Sequence, residues 1–253
     1  MGTNEATPIS KPRMSTPAHN DVVDWNLVAE RRFEDIEELN ALVQGWDFEF
    51  HQLKAGASPA ELLQLGRPEF LLTHFYFEQP YHQRGCTAQD VLTIALIEEG
   101  MDEVTTPDRG GQQDDILCFP AGRDLSAVSK PHFNGYSLSI SEALFDEVAE
   151  SCGIQVEASI GTVQQVRHCS RSNMNTLRGE LRRVSRSLAQ IKTAANSSEI
   201  IRDLEFNLIR PLLRRITDSQ PTDRPKLTNT KQIVLQRTQD YLAANANKPI
   251  TVL

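Results

Sequence analysis

The spacing of apolar positions divides the chain into a polar start, a helix, a run of short strands and a helical end. Residues 1–24 are rich in Thr, Ser, Asn and Pro and bury too little to offset ordering, which predicts a flexible tail. Over 26–44, Phe33, Ile36, Leu39, Leu42 and Val43 form one apolar stripe opposite the charges of ERR and EDIEE. This predicts a helix that stops at Gly45. After Trp46 the period becomes two: Phe48, Phe50 and Gln52 alternate with Glu49, His51 and Leu53, the mark of a strand. Gly56 and Pro59 turn the chain, and AELLQLG resumes it. Short extended segments follow at 69–79, 90–100, 114–122, 124–129 and 133–141, separated by turn residues and without helices between them. That arrangement predicts an antiparallel sandwich or barrel around a pocket or packed core.

From Ser141 the helical period returns. Ser141 is placed to cap a helix whose Leu144, Phe145, Val148 and Ala149 face inward and which ends at Gly153. Between 173 and 196, Met174, Leu177, Leu181, Val184, Leu188, Ile191 and Ala195 follow steps of 3 and 4, a heptad seam with Arg178, Arg182, Arg183 and Arg186 off it. The seam needs a facing helix. One lies at 198–217, where Ile201, Leu204, Leu208, Leu212 and Ile216 recur about one turn apart and Pro211 is expected to kink the helix. The other is the same helix of a second copy. The stretch TDSQPTDRPKLTN, two prolines and no apolar run, predicts a linker. Residues 231–253 read as an amphipathic helix through Ile233, Val234, Tyr241 and Leu242. It is stopped at Pro249, and Ile250-Thr251-Val252-Leu253 follows.

Composition sharpens this picture. Apolar residues make up 39%, enough for a core, and no run approaches the roughly 20 apolar residues that span a bilayer. The first residues lack a charged start followed by an apolar run, so no signal peptide is expected. Cys86, Cys118, Cys152 and Cys169 are well separated and are expected to be reduced thiols of a cytoplasmic protein. The net charge of −8 is unevenly spread. Residues 1–164 hold 10 Lys/Arg against 27 Asp/Glu, whereas 165–253 hold 16 against 7. Any phosphate-seeking surface therefore belongs to the second part.

The hinge N-x-x-P-I-T-V-L at the end resembles the opening of the DNA-binding domain of AraC/XylS-type transcription regulators. The helix of F-x-D-I-x-E-L type, the phrase G-W-D-x-E-x-x-Q-L-x-x-G at Gly45–Gly56 and D-D-x-L-x-F-P-A-G at Asp114–Gly122 resemble the sensor domains of that family. The resemblance implies an α+β chain: a cupin-like antiparallel β-barrel, then an α-helical dimerisation hairpin, then the first helix of a helix-turn-helix domain. The expected divisions are a tail (1–24), a sensor (25–153), a helical dimerisation region (154–217), a linker (218–229) and the start of a truncated reader (230–253). Leu177, Leu181, Val184, Leu188 and Ile191 would then join two copies as a homodimer. The partners implied are a small-molecule or peptide effector and, in a full-length form only, DNA; no membrane partner is expected.

Catalytic chemistry is not expected. Neither G-x-x-x-x-G-K-[ST], G-x-G-x-x-G nor G-x-S-x-G occurs. Enzymatic cupins hold a metal with an H-x-H phrase and a later P-x-G-x-x-H phrase. Here the later phrase reads Pro120-Ala121-Gly122-Arg123-Asp124-Leu125, with leucine in the histidine's place, and H-x-H is missing. No cofactor or metal is expected, although a cupin-fold metal enzyme with a helical tail and a reader-free regulator acting through heterodimers are the rival readings. From alternation alone, His51, His74, Tyr76 and Tyr136 are the candidate ligand contacts.

Overall fold

The computed structural model describes residues 26–34, 36–42, 47–67, 69–98, 103–105, 111–190, 198–222 and 238. In chain order the elements are β1 (Asn26–Phe33), α1 (Ile36–Leu42), β2 (Asp47–Gln52), β3 (Ala60–Arg67), β4 (Phe70–Phe77), β5 (Tyr81–Cys86) and β6 (Val91–Ile97). Then come β7 (Glu103–Thr105), β8 (Gly111–Gln112), β9 (Asp115–Phe119), β10 (Asp124–Ser129), β11 (Phe133–Ser141) and α2 (Glu142–Ser151). After a 3-10 turn at Ala158–Gly161 the chain closes with β12 (Gln165–His168), α3 (Arg171–Gln190), α4 (Ser198–Asp218) and β13 (Gln220–Pro221). The reader expected at 230–253 (apart from Thr238), most of the linker and the tail lie outside the described residues.

The strands form two antiparallel sheets. The larger has the order β1-β3-β4-β11-β6-β9-β12-β13 and the smaller the order β2-β5-β10-β7-β8. They face each other without closing into a hydrogen-bonded barrel, a correction to the closed barrel expected. α2, α3 and α4 cover the other side of the large sheet. The main core joins Phe70, Leu72, Ile94, Leu96, Leu138 and Ile140 of that sheet to Phe145 and Val148 of α2, Met174 and Leu181 of α3, and Leu208 and Leu212 of α4. A sheet covered on both faces needs apolar residues on both. Hence β9 is buried at every position, DILCF, and β6, VLTIALI, at nearly every one.

Local chemistry sets the helix ends. Ser141 Oγ accepts a hydrogen bond from the Leu144 amide at 3.2 Å. Gly153, at φ +62°, ends the helical turn after α2, and the Ile154 amide reaches back to the Ala149 carbonyl. Ser170 Oγ similarly accepts from the Asn173 amide, so α3 starts two residues before the expected 173.

Two further expectations are corrected. The helix expected over 26–44 is a strand followed by a short helix: β1 pairs with β3 from Asn26↔Gly66 to Phe33↔Ala60, and only Ile36–Leu42 is helical. Pairing with a free sheet edge outweighs the helical spacing. The helical region is also not separate. β12 pairs with β9 and β13 with β12, so the chain around α3 and α4 is stitched into the large sheet, and β13 occupies part of the expected linker. Leu177, Leu181 and Val184, expected at a dimer seam, are buried within one chain, at 1%, 1% and 4% exposure, in the cluster that also holds α4 and the large sheet. The Leu188 side chain and Ile191 lie outside the described residues.

Candidate ligand-binding cavity

A cavity lies between the two sheets. Phe48 and Phe50 of β2, Gln83 of β5, and Leu125 and Ala127 of β10 form one wall. Gln64, Thr73, Phe75, Ala95, Ile97, Leu117 and Ser137 of the large sheet form the other, with Phe119 and Phe133 at its margins. The cavity's volume is about 70 Å³. The described lining contains no Asp, Glu, Lys, Arg or His. Its polar side chains are the amides of Gln64 and Gln83 and the hydroxyls of Thr73, Ser137 and Tyr136, and the Gln64 amide reaches the Thr73 hydroxyl at 3.4 Å. An apolar wall with few oriented polar groups is the usual build of a small-molecule site.

Of the four residues expected to contact a ligand, only Tyr136 borders this cavity. His51 is exposed on β2, opposite His82 of β5, which in turn bonds Ser126 Oγ at 2.8 Å. Alternation in β2 turns Phe48 and Phe50 inward and His51 outward. The ring of His74 stacks on that of Tyr136, centroids 4.6 Å apart, and its Nε2 meets Asn134 Oδ1 at 2.7 Å. Tyr76 pairs with His132 Nδ1 at 3.2 Å. Gln64, Thr73, Gln83 and Ser137 are the polar lining that sequence reasoning missed. For Gln64 the signal was a lone polar side chain inside a run that reads as apolar, ELLQLG; the other three sit among further polar residues of their strands.

The face of the large sheet turned away from the cavity carries a charged anchor for α3. Arg178 is fully buried. Its Nε donates to the Ile97 carbonyl at 2.9 Å, and its terminal nitrogens reach the Gln113 carbonyl and Asn175 Oδ1. One turn on, Arg182 donates to the buried Glu98 carboxylate at 2.6 Å. Burial, then the neighbouring Glu98 charge, push the Tyr136 phenol up to about 12. Burial lowers the His74 pKa, against the opposing pull of the Asn134 hydrogen bond and Glu61. Ile97 thus lines the cavity with its side chain and holds α3 with its carbonyl.

The four cysteines are free thiols. Burial pushes Cys118 up to about 12, which leaves it inert as a nucleophile. Among the described residues, no group of three or more His, Cys, Asp or Glu is arranged to hold a metal ion. Leu125, in the place where resembling enzymes carry a histidine, packs into the apolar wall. The described residues do not fit a cupin metal centre.

No family model and no curated protein sequence matches the chain. Among solved structures it is similar to the crystal structure of the AraC-like transcriptional activator CuxR, with a TM-score of 0.52 at 11% identity over 87% of this chain and 79% of that one. A cupin from Shewanella frigidimarina matches 37% of this chain at 15% identity and a TM-score of 0.27. The cupin domain of Cnp3 from Schizosaccharomyces pombe matches 38% at the same identity and score. The fold is an antiparallel two-sheet sandwich with helices packed on one sheet, shared over most of the chain with the structure of that activator.

Proposed function

We propose that this chain senses a small molecule as part of an AraC-type transcription regulator. The observation that carries the reading is the double use of β6: Ile97 borders the inter-sheet cavity and anchors α3 through Arg178. A ligand that moves this strand moves the helix that leads toward the C-terminal part of the chain. For the coupling to operate, the ligand must bind one arrangement of strand and helix better than the other. The lining selects the ligand. With no charge to pair, it favours an uncharged, largely apolar molecule that offers one or two hydrogen-bonding groups to Gln64, Thr73, Gln83 or Ser137. DNA is read by the domain that begins at 230–253, two copies act together on paired half-sites, and the protein works in the cytoplasm without catalysing a reaction.

The test is to sequence genomic DNA fragments retained by the full-length gene product, and to measure transcripts when that gene is deleted. A small set of promoters common to both experiments is expected. Absence of any retained promoter, with a stoichiometric transition metal and a turned-over substrate in the purified protein, overturns the reading in favour of a cupin-fold enzyme.

A further inference from the structure

A second recess lies between α3 and α4, on the helices' side away from the inter-sheet cavity's lining. It encloses about 290 Å³ and is lined by Glu180 of α3 and by Asn207, Arg210, Pro211, Arg214 and Arg215 of α4. The α4 residues fall at offsets of 3, 4, 7 and 8 from Asn207, which is one face of a helix. The opposite face, with Leu208, Leu212, Leu213 and Ile216, is buried in the core. Fixing that face fixes where the arginines point.

Three guanidinium groups share this groove with one carboxylate. Among the described residues no ion pair engages Arg210, Arg214 or Arg215, and Arg215 Nε is buried without a hydrogen-bond partner. Arg210 and Arg214 are exposed, so water screens much of their repulsion, while a buried N–H without an acceptor on the half-buried Arg215 is costly. An anion relieves both. Only Arg215 lies in the last turn of α4, so the helix dipole accounts for one of the three charges and not for the set. The groove also holds acceptors. Pro211 has no N–H to give to the carbonyl of Asn207 four residues earlier, and that carbonyl and the Glu180 carboxylate can take hydrogen bonds from a ligand.

We propose that this groove binds a small phosphorylated molecule that also carries a hydroxyl or amino group. The arginines hold the phosphate, each able to give two parallel N–H donors. Glu180 and the Asn207 carbonyl take the hydroxyl or amino hydrogens. Glu180 also argues against nucleic acid, because its charge opposes a continuous line of phosphates. The volume is near the roughly 300 Å³ lower end of small-ligand clefts. This site is independent of the proposed sensing cavity, and neither requires the other.

The experiment is calorimetric titration of the purified chain with ribose 5-phosphate, with inorganic phosphate and with a duplex DNA of random sequence. Binding of ribose 5-phosphate is expected, weakened about tenfold or more by Arg210→Gln and by Arg214→Gln, the loss appropriate to a charge-assisted hydrogen bond. Arg183→Gln, on an exposed part of α3 outside the groove, leaves it unchanged. Glu180→Gln tightens inorganic phosphate and narrows the preference for the sugar phosphate. These side chains line an open recess, and circular dichroism checks that each variant is folded. No binding of either phosphate at millimolar concentration, equal binding by the Arg210 and Arg214 variants, or binding of DNA without binding of ribose 5-phosphate would each overturn the proposal.

Discussion

His74 illustrates how a single buried group ties the stability of this protein to pH. Burial lowers its pKa below the ordinary 6.5, and the Asn134 hydrogen bond, the next cause in size, does not compensate. The unfolded chain therefore takes up the proton first as pH falls. Stability from this residue is fully present above pH 6.5 and is lost as pH falls below it toward the folded pKa. His82, lowered by burial and then by His51 and Arg84, acts in the same direction. Urea midpoints measured from pH 7.5 to 5 should fall, and His74→Gln should flatten part of that slope while leaving the share due to His82. An unchanged slope in the variant would assign the acid sensitivity elsewhere. The sequence announced this residue only as a histidine in an apolar strand. Its partner Asn134 is 60 positions away, a distance across which no local pattern reaches.

At the scale of elements, the docking of α3 decides whether the helical part belongs to the sandwich. Arg178→Met removes the donors from the Ile97 and Gln113 carbonyls, and about 3 kcal/mol or more of stability should go with them. Leu181→Ala should cost about 2–5 kcal/mol by opening a cavity in the core. Leu181→Asp should give an unfolded chain. A folded monomer from that variant, seen by light scattering with native circular dichroism, would instead restore Leu181 to an interface between copies. The first half of the heptad pattern, Met174, Leu177, Leu181 and Val184, was legible and marks a buried stripe, and the helix expected at 198–217 runs from Ser198 to Asp218. What the stripe faces was not legible, since an intrachain partner and a second copy want the same apolar seam. β1 was misread for a related reason. Phe33, Ile36 and Leu39 sit three apart, and all three belong to one cluster with Phe50, Phe77 and Tyr81, so spacing that looks helical spans a strand end and a short helix. β12 and β13 carry too few residues to show a period at all.

For the molecule as a whole, the sandwich and its helices form one coupled body only if the inter-sheet space is used. A cavity that merely reflects imperfect packing and one that admits a ligand respond differently to being filled. Ala95 lines the cavity from β6, two residues before Ile97. Ala95→Leu adds about three carbons to that space, and cavity-filling changes of this kind commonly add about 0.5–2 kcal/mol. If the cavity is idle, the variant should be more stable and otherwise unchanged. If it is the sensing site, the variant should be as stable or more so, yet a promoter fusion should no longer respond to growth conditions that switch the parent protein. Its output should sit at one fixed level, because the strand that holds Arg178 can adopt only one of its two arrangements. Combining Ala95→Leu with Arg182→Gln separates the steps. Loosening the Glu98 ion pair frees α3 without reopening the cavity, so output should shift from that fixed level while remaining unresponsive. A double variant that regains its response would place the sensing event outside the inter-sheet cavity and break the link between β6 and α3.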